Sequence, residues 1–418
     1  MRRHSRRGSG RVPIGLAVAG AMLMAAGAAI ADASQIMPGA NVESLLAMVR
    51  RFNPELAAAA LDREAAVARI YPAGALDDPM VNLSRDQGFR QTLVTISQDF
   101  PLWGKRRLRE EVAEADANAA AARTTGVADM LEEQVKTVFA QYYEAEHSIR
   151  VTRDIAGLLR DVAGSARARY GQGLGSQSDS IRAELEKSRL EPELAAIERD
   201  DEVARAKINA LIGRAADAPL AAPAALRRVP PAKSLKLDVL IARARSRNPT
   251  VAAARAEIAA AAGERTLVEK SWYPDVTVTV GADDLPDMRP RVVAGVGLKV
   301  PLQWGVREAK AREATAKKGA AQLRLDAALL KIGSELQAAL AALSRAQHTE
   351  AVLGRSLGPQ SEAAYQSALA SYQQGRGDLI PVLDAARQRL QLRIERLQVH
   401  TEAQTAFATI ERLVGGDL

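Results

Sequence analysis

The 418 residues contain no cysteine, so thiolate nucleophiles, thiolate metal sites, disulfides and a lipid-modified cysteine anchor are all excluded. Beyond residue 31 the histidines are His147, His348 and His400, and the first two stand 201 positions apart. An oligomer could gather such a matched pair into a ring. Yet neither has a second histidine at i+3 or i+4, the spacing that lets one helix face hold a metal, and single helix histidines are usually solvated or hydrogen-bonded. Asp283, Asp284 and Asp287 crowd a short stretch that either favours cations at a pore mouth or is a solvated loop. No metal-ligand cluster, nucleophile motif or phosphate loop accompanies them, so the chain is read as a non-enzyme with no cofactor and no bound metal.

The elements that position these residues are written twice. Tyr170-Gly-Gln-Gly173-Leu174-Gly175-Ser176 recurs 202 residues on as Tyr372-Gln-Gln-Gly375-Arg376-Gly377-Asp378. Leu211-Ile212-Gly213 returns as Leu413-Val414-Gly415, Pro101-Leu102 as Pro301-Leu302, and Asn53-Pro54 as Asn248-Pro249, all in the same order. This is one supersecondary unit duplicated, spanning 32–214 and 235–418 with a proline- and alanine-rich linker at 215–234. With only 4% aromatic residues and abundant alanine, long close-packed helices are favoured over a bulky core.

Residues 1–31 read as a secretory signal, with Arg2, Arg3, Arg6, Arg7 and Arg11 before an apolar run and Ala29-Ile30-Ala31 as cleavage site. Its five arginines, with no acid, would take the formal +7 of the whole chain to +2, so the basic pI does not argue for nucleic acid.

In each half helical periodicity comes first (41–71 and 235–271), then a period of two. Val81 and Leu83 alternate with Asn82 and Ser84; Val94 and Ile96 alternate with Thr95 and Ser97. A second hairpin follows with Val276, Val278 and Val280, then Val292, Ala294, Val296 and Leu298. The hairpins occupy 79–102 and 275–301. Each leads into a long helix, 105–170 and 305–372, the second interrupted at Gly358-Pro359; at about 1.5 Å per residue the first would reach about 100 Å. A glycine-rich reversal and a return helix close each half, with Ser176 or Ser178 as N-cap and a kink expected at Pro192.

Strands of this length with one apolar face match the pattern of outer-membrane barrel strands, but four cannot close a barrel, so the chain must oligomerise. Trp103, Trp272, Tyr273 and Trp304 sit at strand ends, where an interfacial aromatic girdle belongs; filling a junction core is the alternative. Lys105, Arg106, Arg107 and Arg109 crowd a helix N-terminus, against the helix dipole, which suggests either lipid phosphates nearby or a solvated face.

Over nearly all the chain beyond the signal, these features resemble the TolC family of outer-membrane efflux proteins, the outer membrane factors. The resemblance rests on the duplication, the two Asn-Pro pairs, Phe100-Pro-Leu-Trp-Gly-Lys105, Val300-Pro-Leu-Gln-Trp-Gly305, and Pro359 through Tyr372-x-x-Gly375-Arg-Gly-Asp to Leu383-Asp384-Ala. The hairpin turn and tip are most similar to the heavy-metal efflux branch. The resemblance implies a mainly α fold with a small membrane β-barrel: a homotrimer with a 12-stranded barrel in the Gram-negative outer membrane, in contact with its lipid, and an α-helical barrel across the periplasm. It further implies a periplasmic adaptor and an inner-membrane pump of the RND type as partners in a tripartite efflux system. A duct of a type I secretion system, or a non-pore periplasmic coiled-coil adaptor, are the alternatives. By position the entrance gate of the family falls on Ser178, Asp179, Tyr372 and Arg376, the last standing one place earlier than the family pattern expects. The adaptor-docking tips fall on Gly173, Leu174, Gly175 and Ser176, with Gly375 and Gly377.

Overall fold

In the computed structural model, which describes residues 37–86, 91–284 and 291–418, the Asn41 side chain accepts the Ser44 amide at 2.9 Å and starts helix α1 (Val42–Phe52). The expected signal segment, the tip of the first expected hairpin at 87–90 and Asp287 lie outside the described residues. The first stretch is not one helix as its periodicity suggests. It is α1, α2 (Pro54–Ala68) and α3 (Ile70–Gly74), and the first break falls at Asn53, which adopts an extended backbone while its Oδ1 caps the amides of Glu55 and Leu56. Proline at the first helical position fits that break, its missing N–H being one of the orphans anyway.

Strands β1 (Met80–Asp86) and β2 (Gln91–Phe100) follow, then α4 (Lys105–Gly171), 67 residues without a break. The return helix α5 (Gln177–Leu211) is capped by Ser176 and runs continuously through Pro192, where a kink is expected from the sequence. The linker is tied down along its length: Ala221 and Ala224 donate to the carbonyls of Pro38 and Ala40, and Gln404 donates to the Arg227 carbonyl.

The second repeat follows the same plan. Helices α6 (Leu237–Arg247) and α7 (Pro249–Lys270) are separated at Asn248, which caps Thr250 and Val251. Strands β3 (Asp275–Asp284) and β4 (Arg291–Lys299) lead to α8 (Trp304–Val352). A π-helical segment, Leu353–Leu357, breaks the second long helix just before Gly358-Pro359, and α9 (Gly358–Gln373) completes it. That is a known cause of an interrupted helix, since proline cannot donate to the preceding turn. Helix α10 (Leu379–Val414) returns.

The landmark pairs of each repeat turn out to touch. Asn53 Nδ2 donates to the Leu211 carbonyl at 2.8 Å, and Asn248 Nδ2 to the Leu413 carbonyl at 2.9 Å. Gly213 (φ +70°) and Gly415 (φ +77°) close the return helices in the left-handed conformation. A side chain on either would strike backbone, the Phe52 carbonyl oxygen at 2.8 Å or the Arg247 carbonyl oxygen at 2.5 Å. Each repeat is thus bolted by an asparagine cap that also seals the far end of its own return helix.

Apolar burial divides by height. Away from the reversals each repeat has its own core, Val42, Leu45, Leu131, Phe139 and Ile208 in the first and Leu240, Leu336, Leu343, Phe407 and Ile410 in the second. Near the reversals one core joins both, with Ile155 and Leu159 of α4 against Tyr365, Tyr372, Leu379 and Val382.

Between these lies a buried ionic cluster. Lys136 Nζ bonds Glu411 at 2.8 Å and Asp417 at 2.6 Å, and Arg227 reaches Glu411 at 2.9 Å. Asp129, two turns before Lys136 on α4, has its carboxyl pushed up to about 6 by burial first and by Glu132, against the pull of Lys136 and Arg412. A carboxyl with a folded pKa above its ordinary 3.8 withdraws stability as pH rises through that interval. Asp129→Asn is therefore expected to raise the unfolding midpoint at pH 8, by roughly 1 kcal/mol after allowance for partial solvation, and to change little at pH 4. Thermal melts across pH 4–8 check this; equal effects at both ends would contradict it.

Candidate functional site: paired helix reversals and an amphipathic sheet

The two reversals share one construction. Gly173 N–H donates to Tyr170 O at 3.0 Å and Leu174 N–H to Arg169 O at 2.8 Å; in the second, Gly375 donates to Tyr372 and Arg376 to Ser371, both at 3.0 Å. These are Schellman caps, with glycine in the left-handed region at φ +73° and +72°. The next glycines are needed for closeness rather than for φ: a side chain on Gly175 would begin 3.2 Å from Arg169 Cβ, and one on Gly377 3.1 Å from Ser371 Cβ. By contrast nothing lies within 4 Å of where a Gly173 side chain would begin.

Tyr372 is buried in the shared core, whereas its counterpart Tyr170 is half exposed. Burial raises the Tyr372 hydroxyl above its ordinary value, partly offset by the Arg169 guanidinium and reinforced by Asp179. Asp179, half-buried, donates its amide to Ser176 Oγ at 3.1 Å, and Ser176 and Ser178 share a hydrogen bond of 2.8 Å. The structure therefore brings Asp179, Tyr372 and both serines to one end of the molecule. The arginine lying on Tyr372 is Arg169, 5.1 Å from the ring centroid, and not Arg376, which is exposed. Sequence reading missed Arg169 because it lies inside the helical pattern ahead of the glycines; its absence from the matching position, where Ser371 stands, was the available signal.

At the opposite end the two hairpins join into one antiparallel sheet ordered β1-β2-β3-β4. The register puts Val81 opposite Ile96, Ile96 opposite Val280 and Val278 opposite Val296, so most apolar residues of the four strands share one face, with Leu93 and Val293 on the other. The apolar face is bare: Val81, Leu83, Val292 and Val296 are each more than 60% exposed. The other face carries Thr95, Ser97, Asp99, Thr277, Thr279 and Gly295, with Thr277 donating to Asp99 and Asp283 paired to Arg291 across β3 and β4.

A family model described as outer membrane efflux protein matches residues 45–214 and 240–416, one span in each repeat. The chain belongs to that family. Among curated relatives of this efflux protein, the cobalt-zinc-cadmium resistance protein CzcC of Cupriavidus metallidurans is 26% identical over 379 residues, covering 90% of each chain. Among solved structures, the outer-membrane channel OprN superposes with a TM-score of 0.77 at 18% identity, covering 90% of each chain. VceC of Vibrio cholerae gives 0.76 at 19% identity over 90% of this chain and 96% of that one. CusC gives 0.76 at 15% identity over 90% and 92%. At these identities the structures establish a shared fold.

The junction of sheet and helices in this efflux protein is held by aromatics and one buried cation. Trp103, at φ +63° a strained backbone for a bulky residue, donates Nε1 to the Pro274 carbonyl and stacks obliquely on Tyr273 at 5.2 Å. Trp272 and Trp304 meet edge to face at 5.9 Å. Trp103 and Trp304 nevertheless stay more than half exposed. Lys105 does not reach outward as its place in the basic run suggests: it is buried, with Nζ on Asp275 and the Tyr273 carbonyl, both at 2.8 Å, pinning β3 to the start of α4. Arg106 donates to the Gly74 carbonyl and Arg107 pairs with Glu111.

The two matched histidines have different surroundings. His147 stacks on Tyr143 at 3.8 Å and donates Nδ1–H to its carbonyl, and burial holds its pKa below the ordinary value, whereas His348 is exposed. Among the described residues no group of three or more His, Asp or Glu side chains is placed to hold a metal, and no helix is long and apolar enough to cross a membrane.

Proposed function

We propose that three copies of this chain form the outer-membrane duct of a tripartite efflux system. The observation that carries this reading is the four-stranded sheet, apolar on one face in continuous register with β1 and β4 as its edges, mounted on 67 residues of helix. Four strands from each of three copies give a 12-stranded closed barrel, within the range that barrels adopt, and closure pairs the edge strands. The bare valines then face lipid, Trp103, Trp272, Tyr273 and Trp304 lie at its interface, and the helices continue as a tube through the periplasm. The glycine reversals at the far end meet a periplasmic adaptor, and an inner-membrane pump of the RND type supplies the substrate. Given the name of the CzcC relative, divalent heavy-metal cations are the substrate class we favour. In this architecture the pump selects cargo, so the duct needs no metal-binding cluster.

Outer-membrane fractionation and unheated SDS gels should find a trimer; a soluble periplasmic monomer would overturn the reading. Asp179 and Tyr372, with Ser178, act as the entrance gate, and Arg376 at the exposed tip serves the docking face. Asp179→Ala is expected to raise single-channel conductance in planar bilayers, and unchanged conductance would remove Asp179 from the gate. For docking, Leu174→Glu is the cleaner test, because Leu174 is exposed at the tip, whereas any side chain on Gly173 would be strained at its φ of +73° and bulk at Gly377 would strike Ser371. Efflux should be lost while the trimer stays in the membrane; normal metal resistance would count against docking at this tip.

A further inference from the structure

The reversals belong to different repeats, yet a single side chain of the first grips the second. Arg169 Nη1 donates to the Tyr372 carbonyl at 2.8 Å, and the guanidinium lies over the Tyr372 ring at 5.1 Å. Nη2 faces the Leu174 carbonyl at 3.5 Å and would stand 3.4 Å from a side chain on Gly375. The Tyr372 carbonyl already accepts the Gly375 amide, so Arg169 takes its second lone pair. Arg169 also sits where the C-terminal ends of α4 and α9 converge, the place where two helix dipoles both favour a cation. The repeat offers no reciprocal contact: a step of 202 from Arg169 falls on Ser371, and Arg376 corresponds to Leu174. Away from this end the two repeats keep separate cores, and here they share one.

We infer that Arg169 is a positioning residue which latches the second reversal to the first within one protomer, so that the entrance widens only when this contact breaks. The inference rests on the gate reading of Tyr372 given above. It assigns the work to the ring and carbonyl of Tyr372 and not to its hydroxyl. Tyr372→Phe keeps both and should open the channel less than Arg169→Gln, which loses the stack and the charge.

The test is the open-time fraction of purified trimers in planar bilayers for Arg169→Gln, Arg169→Lys, Tyr372→Phe and Tyr372→Ala, with trimer melting recorded alongside. Arg169→Gln and Tyr372→Ala should raise the open fraction roughly five- to tenfold, the shift expected for losing one partly buried hydrogen bond and one cation–π contact. Arg169→Lys, which keeps a cation between the helix ends, should restore part of the closure. It also supplies the reading if Arg169→Gln does not assemble. An intact Arg169→Gln trimer at the parent open fraction would overturn the latch. If Tyr372→Phe opens the channel and Arg169→Gln does not, the hydroxyl carries the gate and only this inference fails. If neither Tyr372→Ala nor Arg169→Gln opens it, the gate reading of Tyr372 fails with it.

Discussion

Asn248→Ala is expected to destabilise the protein by about 2 to 4 kcal/mol, read as a lowered unfolding midpoint of the detergent-solubilised protein. Its Oδ1 caps two amides of α7 and its Nδ2 donates to the Leu413 carbonyl in a buried setting, so both ends of the second repeat lose a partner at once. A lost N-cap costs about 1 kcal/mol, and a buried carbonyl left unsatisfied costs about 1 to 3. Asn248→Ser separates the two roles: its hydroxyl can still cap α7 but is too short to replace the donor to Leu413 O. It should fall between parent and alanine, and a serine variant as stable as the parent would mean that the Leu413 bond contributes nothing. Gly415→Ala should be at least as harmful, because the methyl would be held 2.5 Å from the Arg247 carbonyl oxygen at a φ of +77°.

The second large effect concerns the ionic cluster. The side chains of Lys136 and Glu411 are each only 4% exposed. Removing one partner of such a pair leaves a buried charge, which typically costs about 3 to 5 kcal/mol. Lys136→Met should approach the lower figure, since Arg227 still reaches Glu411. The double variant Lys136→Met with Glu411→Leu should recover only part of that loss, because it removes the Lys136–Glu411 pair together but leaves Arg227 without its carboxylate. Urea unfolding of the three variants measures the coupling directly; additive losses in the double variant would show that the pair is not energetically linked.

The reversals show how far sequence reading reaches. Glycines at a fixed step announce Schellman caps, because only a residue without Cβ takes the left-handed conformation freely. The two hairpins were legible for a similar reason: the period of two, and the apolar side of each strand, are local facts. What escaped was which partner each side chain meets. Lys105 reads as one member of a basic run, and its burial against Asp275 depends on a strand 170 positions away. Asn53 and Asn248 read as landmarks inside helices although Asn-Pro is a local break signal, and only their bonds to carbonyls at the far end of each repeat depend on the fold. Arg169 and Arg376 differ in the same way: both are arginines at a tip, and only the fold puts one on Tyr372 and leaves the other exposed.

The sequence by itself determined the duplication, the helical and strand periods, the absence of thiol chemistry and the family, because each is carried by residue type and spacing along one chain. The tertiary structure alone decided that the two hairpins form one sheet with a single apolar face, and that one arginine bridges the two reversals. It also decided that a buried ion pair joins α4 to the last turn of α10. Those are contacts between residues 176 to 275 positions apart, where side-chain reach and burial, not local periodicity, choose the partner.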